Sequence, residues 1–508
     1  MKDESLNTIR KYIEFRAKEN PHSNFVTCAH TNHKISNIKL KNNLDKINFY
    51  LVNKKKQKKK TKICTLVENS LSSVQLMLGI MYSGMIQVPL NLVAGEEQLI
   101  YVVTHSESEI IFASSSNLKL AKKIVSKISK NIEIIEINKD NFVEEIDSNY
   151  EIIKENTNYQ DDALLMYTSG TTGKPKGVML SHKNILSGGV NVKISHELKP
   201  NDKALCVLPL YHINGLIVTV IGPLVSQSSL VICEKFSTTN FWKYISKFQC
   251  TWFSVVPTII SSLLNKYSKE EIDSLNLSSI RFGRSASAAL APETHKNFEK
   301  NFKVKMIETM GLTESCAPIL SNPLPPKKNK YASPGIPYGN EVMIVDNKFN
   351  EVERNTIGQI CVRGKNVTKG YYKNPEETKK SFYKDWFLTG DLGFMDKENY
   401  VFVKGRIKEL IIKGGENISP REIDDALYQH PAVLEAAAFA VKCEHYGEKI
   451  EAAIVLKKTY DVLESALIKH CESLIGQFKS PSKIHFLSEL PKGPSGKIQR
   501  FKIQDKIR

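Results

Sequence analysis

Short apolar runs alternate with helix-like stretches over the first half of the chain. Residues 63–67, 109–113 and 132–137 are rich in isoleucine and other apolar side chains, which is typical of strands buried on both faces. Residues 73–83 lie between the first two runs and have the length and apolarity of a buried helix. This alternation predicts βαβ units around a largely parallel sheet.

The same alternation continues through the middle of the chain and leads into a polar segment. Residues 304–308 form an apolar run that is followed by residues 309–315, which contain Thr313 and Glu314. Open α/β sheets bind ligands at the carboxyl ends of their strands. We therefore expect the polar segment to face a ligand. The other predicted strands of this region are residues 204–210, 229–233 and 252–256.

The pattern changes twice towards the carboxyl end. Residues 341–345 and 358–363 are two further predicted strands, which we interpret as a change to antiparallel β architecture. Further on, a helix begins at Ser419, where proline takes the first helical position and Glu422 completes a capping box. We predict a large α/β N-terminal domain, with parallel βαβ sheets and a small antiparallel β subdomain, followed by a small α+β C-terminal domain. The predicted boundaries are residues 1–403 for the N-terminal domain, residues 404–408 for the connection and residues 409–508 for the C-terminal domain.

The composition is that of a soluble globular protein, with 41% hydrophobic and 25% charged residues. No apolar secretory segment follows Met1, and the most apolar stretch, residues 205–225, is interrupted by prolines and glycines. We interpret this stretch as buried core rather than as a membrane span. The 9 cysteines form no C-x-x-C pair and are odd in number, which argues against a zinc site or a disulfide framework. We predict a cytoplasmic protein without integral membrane association.

The formal net charge of +17 is densest at residues 54–60, where six lysines surround one glutamine. No aromatic residue is interleaved and no nucleic-acid-binding module surrounds the run, so we predict no nucleic-acid partner. A solvated connection between two early strands is the better interpretation. Part of the excess charge would help to collect polyanionic substrates such as nucleotides.

A hydroxyl- and glycine-rich segment, residues 167–177, follows the apolar run at residues 163–166. Unpaired backbone N–H groups, hydroxyls and lysines in such a loop all donate to anions, which predicts a phosphate-binding loop. The spacing is not that of a P-loop, since Pro175 stands where that motif needs serine or threonine. Taken alone, the segment could equally be a mobile surface loop. The candidate phosphate-binding residues are Thr168, Ser169, Gly170, Thr171, Thr172, Gly173, Lys174 and Lys176.

Seven motifs in a fixed order give the chain a family resemblance. Together they resemble the adenylate-forming superfamily, which includes acyl-CoA synthetases, the adenylation domains of peptide synthetases and firefly luciferase. The resemblance spans nearly the whole chain and is nearest to the branch that contains the oxalate–CoA ligases. The motifs are residues 167–177, 209–215, 311–314, 389–391, 405–411, 413–418 and 491–500.

The resemblance implies an acid–thiol ligase that works in two steps. A carboxylate attacks the α-phosphate of ATP to give an acyl-adenylate and pyrophosphate, and the thiol of coenzyme A then displaces AMP. By resemblance Thr313 bonds the α-phosphate and Glu314 holds Mg²⁺. Asp391 and Arg406 would bind the ribose hydroxyls, and the loop at residues 168–176 would hold the β- and γ-phosphates.

The resemblance also assigns the residue that promotes adenylation. The ammonium of Lys497 would bridge the carboxylate oxygen and the α-phosphate while charge shifts between them. Lys408 falls at the hinge about which the small, mobile C-terminal domain rotates between the two half-reactions. This rotation would withdraw Lys497 and bring Gly414 and Gly415 towards the pantetheine of coenzyme A, where glycine permits close approach. One site would thus serve both reactions.

Two departures from the family pattern bear on specificity. Met310 stands where the family usually has an aromatic residue that stacks on adenine. The sequence around Arg284 and Ser287 is similar to that of the oxalate–CoA ligases, which favours a small, polar acid recognised by these two residues and His212. The oxalate enzymes carry a histidine shortly after the Thr-Glu pair, whereas residues 315–317 contain none. Oxalate is therefore one candidate, and a structural salt bridge is the alternative role of Arg284.

Other functions stay open at this point. The nearest is an adenylating enzyme that loads a phosphopantetheinyl carrier protein, although no carrier domain is attached. A catalytically silent nucleotide-binding relative is disfavoured because the residues expected to act are present, and luciferase-like oxidation of the adenylate is less favoured again. The predicted partners are a small carboxylic acid and coenzyme A or a carrier protein, and the predicted state is a monomer or homodimer.

Overall fold

Residues 6–146, 150–153, 157–168, 174–457, 460–493 and 497–507 are described by a computed structural model of the chain. The strands of the N-terminal part are β1 (Asn24–Cys28), β2 (Lys34–Ser36), β3 (Lys62–Leu66), β4 (Ile86–Pro89), β5 (Ile110–Ser114), β6 (Glu133–Ile137), β7 (Asp162–Thr168), β8 (Lys176–Ser181), β9 (Lys203–Cys206), β10 (Ser229–Ile232), β11 (Trp252–Val255), β12 (Phe282–Ser285), β13 (Met306–Leu312), β14 (Ala317–Ser321) and β15 (Ile336–Pro337). The helices of this part are α1 (Ile9–Glu19), α2 (Asn37–Phe49), α3 (Leu71–Tyr82), α4 (Glu96–Ser106), α5 (Leu118–Val125), α6 (Phe142–Glu145), α7 (His182–Ser195), α8 (Gly222–Ser226), α9 (Thr238–Phe248), α10 (Pro257–Lys266), α11 (Lys269–Asp273) and α12 (Pro292–Phe302).

The later elements form two smaller sheets. Their strands are β16 (Asn340–Val345), β17 (Gly358–Gly364), β18 (Phe382–Tyr383), β19 (Trp386–Met395), β20 (Val401–Arg406), β21 (Ile411–Lys413), β22 (Glu416–Ile418), β23 (Val433–Cys443), β24 (Gly447–Leu456) and β25 (Lys483–Phe486). The helices are α13 (Pro375–Lys380), α14 (Pro420–Tyr428), α15 (Glu464–Ile475) and α16 (Ile503–Ile507).

The first large sheet has the strand order β6-β5-β3-β4-β7-β8. Its neighbours run parallel except β8, which returns antiparallel to β7. Helix α3 follows β3 and is buried along its whole length. The βαβ units that the apolar runs predict are therefore confirmed here.

The second large sheet has the order β15-β14-β13-β12-β11-β9-β10-β1-β2. Its central strands are parallel, whereas β2 at one edge and β14 and β15 at the other are antiparallel additions. Strands β12 and β13 are neighbours, so Ser285 and Glu308 lie opposite each other near their carboxyl ends. This end of the sheet carries the candidate site.

Strand β13 is longer than its apolar pattern predicts. Residues 304–308 predict a strand that ends before Thr309, but β13 continues to Leu312. Its extension pairs antiparallel with β14. Gly311 permits this pairing, because a Cβ there would lie 2.5 Å from the carbonyl oxygen of Ala317. The partner strand β14 follows a tight turn and shows no periodic pattern of apolar residues. The sequence pattern alone therefore could not reveal the extension.

The lysine-rich run at residues 54–60 connects a helix to a strand, so the prediction that it joins two strands is wrong. It follows α2 and a π-helical turn at Tyr50–Lys54, and it precedes β3. Lys54, Lys56, Lys58 and Lys60 are exposed, as expected of a solvated connection.

The apolar stretch at residues 205–225 is core, as predicted. Its second half is a buried π-helical segment at Asn214–Ile221 that continues into α8. Within the described ranges, no helix combines the length and apolarity needed to cross a bilayer.

The C-terminal unit has its own sheet, with the order β22-β21-β24-β23 and β25 parallel to β24. Helix α14 begins at Pro420 as predicted, and the Ser419 hydroxyl caps it by accepting from the N–H of Arg421. Each apolar cluster of the described residues lies wholly on one side of residues 404–408. The two parts of the chain therefore have separate cores.

Candidate active site

A cavity of about 240 Å³ opens where β12 and β13 end. One wall is formed by residues 287–291, which follow β12, and by residues 308–312 of β13. Asp391 and Arg406 contribute from the small antiparallel sheet, and Lys497 contributes from the C-terminal unit. The cavity thus lies between the two parts of the chain.

Asp391 and Arg406 face each other across β19 and β20. The Nε of Arg406 donates to Oδ1 of Asp391 at 2.8 Å. Burial raises the pKa of Asp391, an effect that Arg406 and Lys497 oppose. The backbone N–H of Asp391 donates to Thr389 Oγ1 at 3.0 Å, which fixes the strand at this point. The pair is therefore a buried carboxylate held beside a cation at the cavity wall.

Lys497 reaches the same cavity from the far end of the chain. Its side chain is half-buried, and burial lowers its pKa, with Glu409 and Asp391 opposing the effect and Arg406 adding to it. A half-buried ammonium at the cavity wall is suited to an anionic ligand.

Thr313 and Glu314 open a 3₁₀ turn directly after β13. Tyr371 holds the side chain of Glu314, because its hydroxyl donates to Glu314 Oε1 at 2.9 Å. The N–H of Thr368 donates to the carbonyl of Glu314 at 2.7 Å. Tyr371 is not predicted from the sequence, where its only signal is an aromatic pair with Tyr372 in a polar stretch.

Glu314 fits a magnesium ion of the kind that the resemblance implies. No group of three or more histidine, cysteine or acidic side chains in the described part of the chain could hold a metal alone. Magnesium commonly takes only one or two protein carboxylates and completes its shell with phosphate oxygens and water. Since Tyr371 bonds one oxygen of Glu314, the second oxygen is available for such an ion.

The predicted phosphate-binding loop is described at its two ends. Thr168 and Lys176 pair across β7 and β8, so the ends of the loop are adjacent. Lys176 forms an ion pair with Glu377 and lies 5.0 Å from the ring centroid of Tyr371. Tyr371 therefore contacts both Lys176 and Glu314. The predicted residues Ser169, Gly170, Thr171, Thr172 and Gly173 lie outside the described residues.

Arg284 is buried on β12 and is the centre of a polar cluster beside the cavity. Its Nη1 donates to Asn214 Oδ1 at 2.6 Å and to Ser254 Oγ at 2.8 Å. Asn214 Nδ2 donates in turn to Ser287 Oγ at 3.3 Å, and Ser287 lines the cavity. No carboxylate in the described ranges pairs with Arg284, whose Nε has no partner. Burial lowers the pKa of Arg284 to about 9, so the group stays charged at neutral pH.

The chain on either side of this cluster is conformationally constrained. Ser287 has a φ of 70°, which is unusual for a residue other than glycine and fixes the start of the cavity wall. Gly215 packs so closely that a Cβ there would lie 2.1 Å from the carbonyl oxygen of Pro209. His212 lies in this tight turn, and burial lowers its pKa to about 4, which keeps the imidazole neutral at pH 7. Asn214, which links the predicted residues, was not singled out from the sequence.

Met310 is half-buried on β13 and lines the same cavity as Ala288 and Ala289. The resemblance gives this part of the cavity to adenine, which the thioether of Met310 could cover in place of an aromatic ring.

Several predicted residues lie away from the cavity. Lys174 is exposed, with its ammonium 5.8 Å from the ring centroid of Tyr101. Lys408 is exposed in a 3₁₀ turn. Gly414 and Gly415 form the turn between β21 and β22, with φ values of 57° and 86° that favour glycine. None of these four described residues lines the cavity.

The chain matches two protein-family models. The AMP-binding enzyme family matches residues 13–372, and the AMP-binding enzyme C-terminal domain matches residues 422–497. The chain is 41% identical over 445 residues to the sulfoacetate–CoA ligase of Cupriavidus necator, covering 87% of this chain and 86% of that protein. It is 35% identical over 441 residues to the oxalate–CoA ligase of Arabidopsis thaliana, covering 85% of each.

A solved structure is similar over the whole fold. ATP-bound MatB from Rhodopseudomonas palustris is 28% identical, with a TM-score of 0.88 over 98% of this chain and 99% of that chain. Apo MatB from the same organism covers the same shares at the same identity but has a TM-score of 0.78. The arrangement described for this chain is thus nearer to the ATP-bound form.

Proposed function

Because the chain belongs to the AMP-binding enzyme family, we propose that it joins a small anionic carboxylic acid to coenzyme A using ATP. The acid is first converted to an acyl-adenylate, and the thiol then displaces AMP. The convergence of Asp391, Arg406 and Lys497 on one cavity carries the proposal. Loading of a carrier protein is less favoured, since the relatives at 41% and 35% identity are CoA ligases.

The nucleotide would lie along the wall formed by the ends of β12 and β13. The carboxylate of Asp391 can accept hydrogen bonds from both ribose hydroxyls, and Arg406 holds it in place and opposes the rise in its pKa that burial causes. Adenine would lie between Met310 and residues 287–289. Its phosphates would extend to Thr168, Lys174, Lys176 and the residues between them.

Glu314 and Thr313 would meet the phosphates at the carboxyl end of β13. Glu314 would hold Mg²⁺ through the oxygen that Tyr371 leaves available, and Thr313 would bond the α-phosphate. Bound there, the ion supplies positive charge against the phosphate oxygens. Tyr371 restricts rotation of the Glu314 carboxylate and thereby keeps its free oxygen in one direction.

Lys497 would act while two anions approach each other. A carboxylate oxygen of the acid forms a bond to the α-phosphorus, and the bond from that phosphorus to the pyrophosphate oxygen breaks with its electron pair. No proton has to move in this step. An ammonium placed between the carboxylate and the α-phosphate stabilises the charge that they share, and its burial strengthens the effect.

The acid would be small and would carry a second anionic group. Arg284 supplies a buried positive charge with no described carboxylate to neutralise it, and Asn214 links it to Ser287 at the cavity wall. His212 would contribute a neutral imidazole. Sulfoacetate and oxalate, the acids named for the relatives, both have this doubly anionic character. Residues 315–317 lack the histidine expected of oxalate enzymes, so oxalate is not singled out.

The second half-reaction would need a different arrangement of the same parts. We infer an N-terminal domain at residues 1–403, a hinge at residues 404–408 and a C-terminal domain at residues 409–508. The separate apolar cores and the better fit to ATP-bound MatB support an adenylating arrangement here. Rotation about Lys408 would bring Gly414 and Gly415 to the cavity. A cytoplasmic location and a monomeric or homodimeric state stay predictions.

The first experiment is a panel of carboxylic acids assayed for acid-dependent release of AMP with coenzyme A present. We expect the highest kcat/KM for small acids with a second anionic group, such as oxalate and sulfoacetate, and little activity with acetate. Release of AMP with none of the acids would contradict the proposed function.

Lys497→Ala should reduce acyl-adenylate formation by about 10²–10³-fold, because the charge shared in the transition state loses its cation. Thioester formation from supplied acyl-adenylate should stay close to the wild-type rate. Acid-dependent pyrophosphate exchange measures the first step, and Lys502→Ala, which changes a lysine outside the cavity, is the control. Equal loss in both steps would count against this role.

Lys408→Pro should slow thioester formation more than adenylation, because proline fixes φ at the position where the backbone is proposed to rotate. The two half-reactions are measured separately by stopped-flow or quenched-flow assays. An exposed lysine elsewhere, as in Lys58→Pro, is the control. An unchanged rate of thioester formation would contradict the proposal that Lys408 is the hinge.

Arg284→Met should lower kcat/KM for doubly anionic acids about 10–100-fold while affecting acetate far less, since the buried charge favours only the second anion. The quantity to measure is the ratio of kcat/KM values for the two kinds of acid. Arg16→Met is the matched control, because Arg16 is also buried with its pKa lowered to about 9 but bonds backbone carbonyls far from the cavity. A ratio that Arg284→Met leaves unchanged would show that Arg284 is structural.

A further inference from the structure

Two residues at the start of α14 hold the C-terminal unit against strand β20. The Nη1 of Arg421 donates to the carbonyl of Val403 at 2.6 Å. The hydroxyl of Ser419 donates to the carbonyl of Lys404. Strand β20 belongs with the N-terminal part, because it pairs with β19 as far as Arg406. The bond to Val403 therefore crosses the proposed hinge, and the bond to Lys404 reaches its first residue.

The fit between the two units at this point is close. A Cβ on Gly405 would lie 2.7 Å from Ser419 Oγ, so the approach depends on the absence of a side chain there. The side chain of Arg421 is 12% exposed, and its carboxylate partner within its own unit, Asp425, is 3.6 Å away. The shorter bond of Arg421 is thus the one that it makes across the hinge.

Arg421 also faces a buried carboxylate of the N-terminal part. Glu308 on β13 is buried, its Oε1 accepts from the N–H of Leu290 at 3.1 Å, and its Oε2 has no partner. Burial raises the pKa of Glu308, and Arg421 is the charged group that most opposes this rise. If the C-terminal unit rotated away, Glu308 would lose this cation and the carbonyl of Val403 would lose its donor.

Helix α14 is connected to the segment that carries Lys497. Arg500, close to Lys497 in the sequence, forms a bidentate ion pair with Asp424 on α14. Its Nη1 also donates to the carbonyl of Ala438 at 2.8 Å. Fixing the start of α14 to β20 therefore fixes the position of Lys497 relative to the cavity.

We propose that Arg421 is a positioning residue that selects the orientation in which Lys497 enters the cavity. This inference rests on the proposed two-step function. Rotation of the C-terminal unit would break the bond of Arg421 to Val403 and its electrostatic interaction with Glu308, so these interactions would favour the first half-reaction and contribute nothing to the second. Arg421 also lines the cavity, but its hydrogen bond and ion pair join it to Val403 and Asp425, so we assign its effect to the orientation of the C-terminal unit and not to contact with ATP or the acid.

The test compares the two half-reactions in Arg421→Ala. Acid-dependent pyrophosphate exchange should fall about 10-fold, because a hydrogen bond from a charged donor and the balance of a buried carboxylate are lost together. Thioester formation from supplied acyl-adenylate should stay within about twofold of wild type. Arg421→Lys, which keeps the charge, should recover part of the exchange rate.

Gly405→Ala gives the same test without touching Arg421. The added methyl group would press on Ser419 only in the adenylating arrangement, so this variant should also lose exchange and keep thioester formation. If the thermal unfolding transition shows that Arg421→Ala does not fold, Gly405→Ala tests the proposal in its place. Glu422→Gln is the matched control, because Glu422 is the next residue of the same helix but pairs with Lys479 inside the C-terminal unit.

Two outcomes would overturn the inference. One is an equal loss in both half-reactions, and the other is an exchange rate that neither Arg421→Ala nor Gly405→Ala lowers. Failure of the proposed function looks different, because the wild-type protein would then show no acid-dependent exchange at all, and the inference would fall with it.

Discussion

The site depends on a buried carboxylate that is held by cations from two separately packed units. Asp391 lies in a cavity wall where burial disfavours its charge, and Arg406 on the neighbouring strand offsets that cost. Lys497 adds a second positive charge from the C-terminal unit, and its own burial is offset in part by Asp391 and Glu409. The balance between Asp391 and each cation is reciprocal, because opposite charges make each other less costly to bury, whereas Arg406 and Lys497 repel each other. A polyanion entering this cavity would meet positive charge that is already in place.

How far the sequence predicts this arrangement depends on whether a residue leaves a local pattern. The parallel parts of both large sheets follow from apolar runs, and Ser419 and Pro420 mark the start of α14. The links between distant residues leave no such pattern. Tyr371 bonds Glu314, and Asn214 joins Arg284 to Ser287, through contacts that depend on tertiary packing. The antiparallel extension of β13 escapes prediction for the same reason, because its partner strand is recognisable only once the turn between them is known.

Hydrogen bonds link the two parts of the chain, whereas the interior of each part is apolar. Each apolar cluster among the described residues stays on one side of residues 404–408, whereas Ser419 and Arg421 contact β20 through hydrogen bonds to backbone carbonyls. An apolar interface would have to expose its surface to water on every rotation, at a cost proportional to area. Hydrogen bonds to backbone carbonyls can be exchanged for bonds to water at a much smaller net cost. Contacts of this kind suit the rotation of the C-terminal unit that we propose.

The proposed function specifies a class of acid, and it does not specify which acid of that class is the substrate. Arg284 is buried behind Asn214, so its charge reaches the cavity through a field and a hydrogen-bond relay rather than by a bidentate contact. A field distinguishes an anion from a neutral group, but it distinguishes a carboxylate from a sulfonate only weakly, because both carry one negative charge at neutral pH. Residues 315–317 offer no histidine that would fix a planar group by direct contact. In the proposed function, selection between a planar and a tetrahedral anion would therefore depend on the space beside Ser287, whose left-handed backbone sets the position of its hydroxyl.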